Sequence, residues 1–389
     1  MTSPAPIDPR ALADVVAPFG HSRMLPRAAY VSDEVLSWER ANFFDAGWVC
    51  AGRVSDLEIG GDQKAMRVGD TGVLFTRAGD GTLHAFANIC RHRGHELLAC
   101  GARTNRGVIQ CPYHAWSYEL DGSLRLAPRF GDVPNFSPEH MGLVRVRHET
   151  WGGWIFVNVS HTAGPFADVV GGFDEVCAPY ELDRLVSVVR HEYLLAANWK
   201  LPQENYHECY HCPLIHPELC AVSEASSGDN YAHSSGAWVG GTMDLEPHAE
   251  TMSLGGASGG VAFRALDAVQ RRKIVYVGLF PNLLVSLHPD YVLTHRIEPL
   301  SPSSCLVECS WLFAPEAVAT PGFDPSYAVD FWDLTNRQDW SAVESVQRGM
   351  VSPHYMPGLL SSQEDAVYQF VTMVARGYLG EPVTSAPPR

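Results

Sequence analysis

A chain of 389 residues with 46% apolar and 19% charged side chains has an ordinary globular composition, long enough for two or three domains. A formal charge of −16 argues against a nucleic-acid partner, which needs a basic face for phosphates, and suits docking of a basic protein. No apolar run reaches the length of a membrane span and the first ten residues hold no signal-peptide core, so a cytoplasmic protein with no membrane partner is expected. Ten cysteines do not make a disulfide scaffold, and they are expected as thiols or metal ligands.

The pattern predicts a short helix over 32–44 with Ser32 as its cap, closing an N-terminal segment (1–45) that packs on the last domain. Between 47 and 159, short alternating runs such as 72–75, 82–86 and 154–157 are divided by Asp80-Gly81 and Asp121-Gly122, dipeptides of hairpin turns. That texture predicts a small antiparallel all-β domain over 46–160. The remainder, 161–389, reads as a second domain with strands at 184–197, 236–244, 273–280, 283–288, 291–298 and 305–313. Helices follow at about 327–348 and 363–379.

Within the β domain lie Cys90-Arg91-His92-Arg93-Gly94 and Cys111-Pro112-Tyr113-His114, with 18 residues between His92 and Cys111. Each half offers one thiolate and one imidazole, the ligand set of a Rieske [2Fe–2S] centre, in which two cysteines hold one iron and two histidines the other. A Cys2His2 zinc site is the competing reading. Against it, the order is not that of a zinc finger and no DNA-reading helix follows.

A second cluster lies a hundred residues further on, in the stretch from Trp199 to His216. Glu208 and His211 are three apart, on one side of a helix. Pro213 and Pro217 disfavour helical continuation, which frees His216 to turn back towards His211. Two histidines and a distant carboxylate make the facial triad of non-haem Fe(II), with positions left open for dioxygen. Asp339, Asp333 and Asp365 are the candidate carboxylates, and spacing alone does not choose among them.

Taken together these motifs resemble the Rieske non-haem iron oxygenases, in their large (alpha) catalytic subunit. The resemblance rests on Cys90, His92, Arg93, Gly94, Cys111, Tyr113, His114 and Trp116, then on Asn198-Trp199-Lys200, Glu204-Asn205, Glu208, Tyr210-His211 and His216. It covers nearly the whole chain. It implies an α+β architecture: an all-β Rieske iron-sulfur domain plus a helix-grip catalytic domain, with an antiparallel sheet around a long helix. It implies a [2Fe–2S] cluster on Cys90, His92, Cys111 and His114, and mononuclear Fe(II) on His211, His216 and Asp339. It also implies that Glu208 bridges His114 of one subunit to His211 of the next in a head-to-tail homotrimer; a surface carboxylate capping a helix is the bland alternative. Glutamate at this position is similar to the branch acting on quaternary ammonium compounds.

The implied activity is an oxidoreductase reaction, mono- or dioxygenation of a small molecule with O2. The chain has neither a dinucleotide fingerprint nor a plant-type ferredoxin cysteine run, so electrons from NAD(P)H are expected through a separate flavin/iron-sulfur reductase. One substrate reading is hydroxylation or N-demethylation of a betaine, carnitine or choline, with Tyr206, Trp238, Phe263, Tyr276 and Trp311 as available aromatic faces. The others are an aromatic-ring hydroxylase and a non-catalytic Rieske electron carrier without mononuclear iron. Asn205 either hydrogen-bonds near the iron or satisfies buried backbone. Cys209 and Cys212 are read as buried thiols rather than a redox or zinc pair. His207 and His95 are read as packing or surface residues, and the glycine loop at 255–260 as a mobile loop by the substrate entrance or plain turn chemistry.

Overall fold

The computed structural model describes residues 4–231 and 235–384. It divides into two compact units, Arg40–Gly164 and a second one made of the residues up to Glu39 with those from Pro165 onward. The division falls inside the helix expected at 32–44, whose α-helical part, Asp33–Glu39, runs on as a π-helical stretch, Arg40–Asp45. Ser32 Oγ accepts the Val35 N–H (3.4 Å) at its start.

The smaller unit holds three antiparallel sheets. β1 (Val49–Arg53), β10 (Trp154–Asn158) and β9 (Arg147–Trp151) form one; β4 (Leu83–Ala87), β3 (Thr71–Arg77), β2 (Asp62–Val68) and β5 (Arg103–Asn105) form the second. β6 (Ile109–Gln110), β7 (Ser117–Tyr118) and β8 (Leu124–Leu126) form the third. Asp80 and Asp121 each accept a backbone N–H from two residues on (2.9 Å), which fixes the turns their Asp-Gly pairs announce. Leu74, Phe86, Leu97, Trp116 and Tyr118 make a core into which Cys90 and Cys111 are packed.

The larger unit is built on a seven-stranded antiparallel sheet. Its order is β11 (Val186–Leu195), β17 (Ser304–Phe313), β16 (Tyr291–Ser301), β15 (Leu283–Leu287), β14 (Lys273–Leu279), β13 (Trp238–Asp244), β12 (Asp229–Asn230). Every residue of β15 is buried, so this strand is covered on both faces and reads as an apolar run rather than an alternation. The long helix Ser326–Val351 buries Ala328, Phe331, Trp332, Thr335, Val343 and Gln347, and Gln347 Oε1 accepts the Asn198 N–H (2.8 Å). The N-terminal segment is tied to this unit: Arg27 Nε donates to Met350 O (3.0 Å) and Met24 N–H to Gly358 O (3.0 Å).

The glycine loop at 255–260 takes the turn reading. Ser258 Oγ and Tyr327 Oη both donate to Asp290 Oδ2 (2.6 and 2.7 Å), and a Cβ on Gly259 would stand 2.6 Å from the Tyr327 ring. Among the described residues no helix is long and apolar enough to cross a membrane.

Candidate active site

The two cluster loops close in the same way. Cys90 N–H donates to His95 O (2.8 Å) and Gly94 N–H to Cys90 O (3.0 Å); Cys111 N–H donates to Trp116 O (2.8 Å) and Ala115 N–H to Cys111 O (3.1 Å). The fourth residue after each cysteine has positive φ, +71° at Gly94 and +59° at Ala115, which explains the glycine in the first loop. Both thiols are buried, whereas His92 is half-buried and His114 exposed, with ring centroids 4.7 Å apart. His92 lies flat on Trp116 at 5.1 Å. The Tyr118 hydroxyl accepts the Arg91 N–H (3.0 Å) and sits 3.3 Å from Cys90 Sγ. Burial raises the Cys90 thiol above its ordinary pKa, a cost that a metal-bound thiolate offsets. A zinc site takes all four donors around one ion, whereas here the two thiols are buried and the two imidazoles are turned outward. Two inward thiols and two outward imidazoles fit a two-iron cluster instead.

In the larger unit, the buried Lys200 Nζ pairs with Glu39 Oε1 (2.6 Å), Trp199 Nε1 donates to Glu39 Oε2 (2.8 Å), and Tyr378 also hydrogen-bonds this carboxylate. Breaking such a buried pair costs about 3–5 kcal/mol. It anchors the helix Lys200–Tyr206, which carries Asn205 towards the site. That helix stops at His207, and a separate turn, Cys212–Ile215, has His211 at its N-cap and His216 at its C-cap. Pro213 and Pro217 start the short helices here, so both imidazoles swing to one side, ring centroids 5.2 Å apart.

Asp339, on the long helix, meets them. Its Oδ1 lies 2.8 Å from His216 Nε2 and 3.3 Å from His211 Nε2. Neighbouring ligands of one ion, each roughly 2.1 Å from it, stand about 3 Å apart, so the donor set fits a single metal. The opposite ring nitrogens are occupied: Glu208 holds His211 Nδ1, and Gln338 Oε1 is 2.7 Å from His216 Nδ1. Each imidazole thereby presents Nε2 to the metal position. Burial works against charge at this site, but the facing carboxylates prevail: His211 is raised to about 9, and Asp339 is held below its ordinary range by the two histidines. Asn205 Nδ2 lies 3.4 Å from His211 Nε2. Asp333 is taken by Arg337 (2.7 Å) and Tyr193, and Asp365 by Asn230 at the cavity rim.

Two expectations change. Cys209 and Cys212 form a disulfide rather than free thiols, because the turn between the two helices brings their Cα atoms to 4.9 Å. Cys212 Sγ, although 3.8 Å from His211 Nε2, is therefore not a thiolate donor. Of the five aromatic candidates, Tyr206 and Tyr276 line the cavity over the metal position; Trp238, Phe263 and Trp311 do not. Trp332 and Trp340 take their place. With Asn336 and Asp339 they form an i, i+4, i+7, i+8 stripe of the long helix, a signal present in the sequence that mixes aromatic with polar residues. The cavity is about 300 Å³, at the small end for ligand sites.

Residues 182–380 match the ring hydroxylating alpha subunit (catalytic domain) family, and residues 47–137 match the Rieske [2Fe-2S] domain. The chain belongs to the ring-hydroxylating alpha subunits, oxidoreductases that combine a Rieske [2Fe–2S] domain with a mononuclear iron domain and draw electrons from a separate reductase. It is 30% identical to a glycine betaine monooxygenase oxygenase subunit of Chromohalobacter salexigens, over 94% of this chain and 89% of that one. It is 35% identical to a carnitine monooxygenase oxygenase subunit of Acinetobacter baumannii, over 54% of this chain and 56% of that one. Its fold is that of a solved quaternary ammonium Rieske monooxygenase, with TM-score 0.80 at 24% identity, covering 97% of this chain and 100% of the other.

Proposed function

We propose that this chain is the oxygenase component of a cytoplasmic two-component monooxygenase that hydroxylates or N-demethylates a small quaternary ammonium compound. The observation that carries the reading is the convergence of His211, His216 and Asp339 on one point of a cavity walled by Tyr206, Tyr276, Trp332 and Trp340. Aromatic faces attract a cation that hydrogen bonds cannot reach, because a quaternary nitrogen has no N–H. The names of the relatives point the same way.

In this reading His211, His216 and Asp339 hold the iron, and Cys90, His92, Cys111 and His114 hold the cluster. When bound, the iron supplies dioxygen activation and the cluster supplies its electrons. Glu208 keeps the proton of His211 on Nδ1, and Gln338 does the same for His216, so both Nε2 lone pairs stay available. Glu208 is also the bridge by which His114 of one subunit reaches His211 of the next in a homotrimer, fed from NAD(P)H through a flavin/iron-sulfur reductase. Exposed apolar side chains beside both sites support that interface: Tyr210 and Leu214 next to His211, and Ile89 and Tyr113 on the cluster loops.

The test is oxygen consumption by the loaded enzyme with a reductase, measured with glycine betaine, carnitine and choline beside benzoate and naphthalene. Consumption coupled to loss of an ammonium compound is expected. Coupling to the aromatic compounds alone would replace this reading with ring hydroxylation.

A further inference from the structure

The two tyrosines of the cavity are not equivalent. The Tyr206 hydroxyl is paired with Ser286 Oγ (2.9 Å), whereas the Tyr276 hydroxyl is buried without a partner. Tyr276 sits on β14 opposite Ser286 of β15; two residues on, Gly278 lies opposite Leu284, which in turn lies opposite His295 of β16. Side chains two apart on a strand, and those directly opposite across an antiparallel pair, share one face of the sheet. Tyr276, Leu284 and His295 all line the cavity, so this face is its floor.

His207 reaches the same floor from the end of its helix. A Cβ at Gly278 would stand 2.6 Å from His207 Nε2, so the ring fills the space that the glycine leaves, about 7 Å along the strand from Tyr276. His207 is 6% exposed, lines the cavity, and has no hydrogen-bond partner at either ring nitrogen. Burial pushes it down to about 3, so it is a neutral imidazole with one N–H and one lone pair. The floor therefore carries a hydroxyl and an imidazole that the protein does not satisfy. Buried polar groups are paired as a rule, and an unpaired one costs stability, so both call for a partner that arrives with the ligand.

We propose that Tyr276 is a specificity-determining residue: its hydroxyl, with His207 beside it, hydrogen-bonds an oxygen that the substrate carries next to its ammonium group, while the aromatic walls hold the nitrogen. This rests on the ammonium reading above and deepens it. A quaternary nitrogen offers no hydrogen bond, so the floor reads only the other end of the molecule. The tyrosine O–H and the imidazole N–H donate equally to a hydroxyl or a carboxylate oxygen. A site built this way rejects an analogue without the oxygen, because its own polar groups are then left unpaired.

The experiment compares choline and glycine betaine with ethyltrimethylammonium, which has the skeleton of choline without its oxygen. Binding to the resting iron-loaded enzyme is measured by calorimetry, and turnover by coupled oxygen consumption. At least one oxygen-bearing compound is expected to lead ethyltrimethylammonium about tenfold in affinity and in kcat/KM, and which one leads assigns the oxygen as hydroxyl or carboxylate. Tyr276→Phe should abolish most of that lead while ethyltrimethylammonium binds within about twofold of wild type. Because the lost hydroxyl has no partner in the protein, the same variant should unfold at an equal or higher urea concentration than wild type. No lead, a lead that survives Tyr276→Phe, an equal loss on all three ligands, or a Tyr276→Phe protein that unfolds earlier overturns this inference and leaves the ammonium reading standing. Turnover of benzoate or naphthalene with no ammonium compound bound or oxidised overturns both.

Discussion

The proposed cluster donors hang on two loops closed by their own backbone, each cysteine within three residues of its histidine, with the imidazoles turned outward. The proposed iron donors come from two elements 123 residues apart, and His216 is 1% exposed. The first arrangement is held by local hydrogen bonds; the second exists only when the long helix packs against the turn that carries the histidines. Loss of one cluster ligand therefore leaves its loop largely formed, whereas the iron pocket depends on residues that touch no metal.

The largest expected effects come from stripping one site and reading the other. His211→Ala should lose the mononuclear iron and all turnover while the visible spectrum of the cluster persists. Cys111→Ser should lose that spectrum and keep the third iron. Metal analysis with absorption spectroscopy decides it: loss of both metals from either variant would show that the sites are not independently built.

The next effects probe the partners that orient the imidazoles. Glu208→Gln should lower turnover about a hundredfold with iron and cluster both loaded, and Gln338→Ala should weaken iron retention about tenfold against a chelator. If Gln338→Ala behaves as wild type, the packing of the long helix alone positions His216.

This contrast also explains what the sequence could disclose. The proposed cluster set could be picked out because all four residues lie in two short segments, and the proposed iron histidines because Pro213 and Pro217 break the helix between them. The strand runs of the larger unit were legible from their apolar texture, down to β14 and β16 within a few residues of their ends. Asp339 has no local mark that separates it from Asp333, and only the resemblance singled it out. Gln338, Trp332 and Trp340 stayed hidden because their roles arise from what the helix faces after packing. Cys209–Cys212 was misjudged because flanking apolar residues suggested burial, while the turn that brings the two cysteines together is a tertiary feature.

The smallest effect separates the two units by stability. The larger unit buries His207, His288 and His295, and burial drives all three down, His207 to about 3 and His295 to about 4. In the unfolded chain each takes a proton near pH 6.5. Below that pH the unfolded state binds protons that the folded state refuses, so stability is full above about 6.5 and falls as pH drops towards 4. Each such histidine contributes at most about 1.4 kcal/mol per pH unit in that window. His207 fits against the unsubstituted face of Gly278, where a Cβ would stand 2.6 Å from Nε2, so a side chain of similar length is tolerated best. Urea unfolding of His207→Gln between pH 7 and 5 should show a slope reduced by about one histidine's share. An unchanged slope would mean that His207 is protonated in the folded protein, and that the inner wall of the cavity carries a charge.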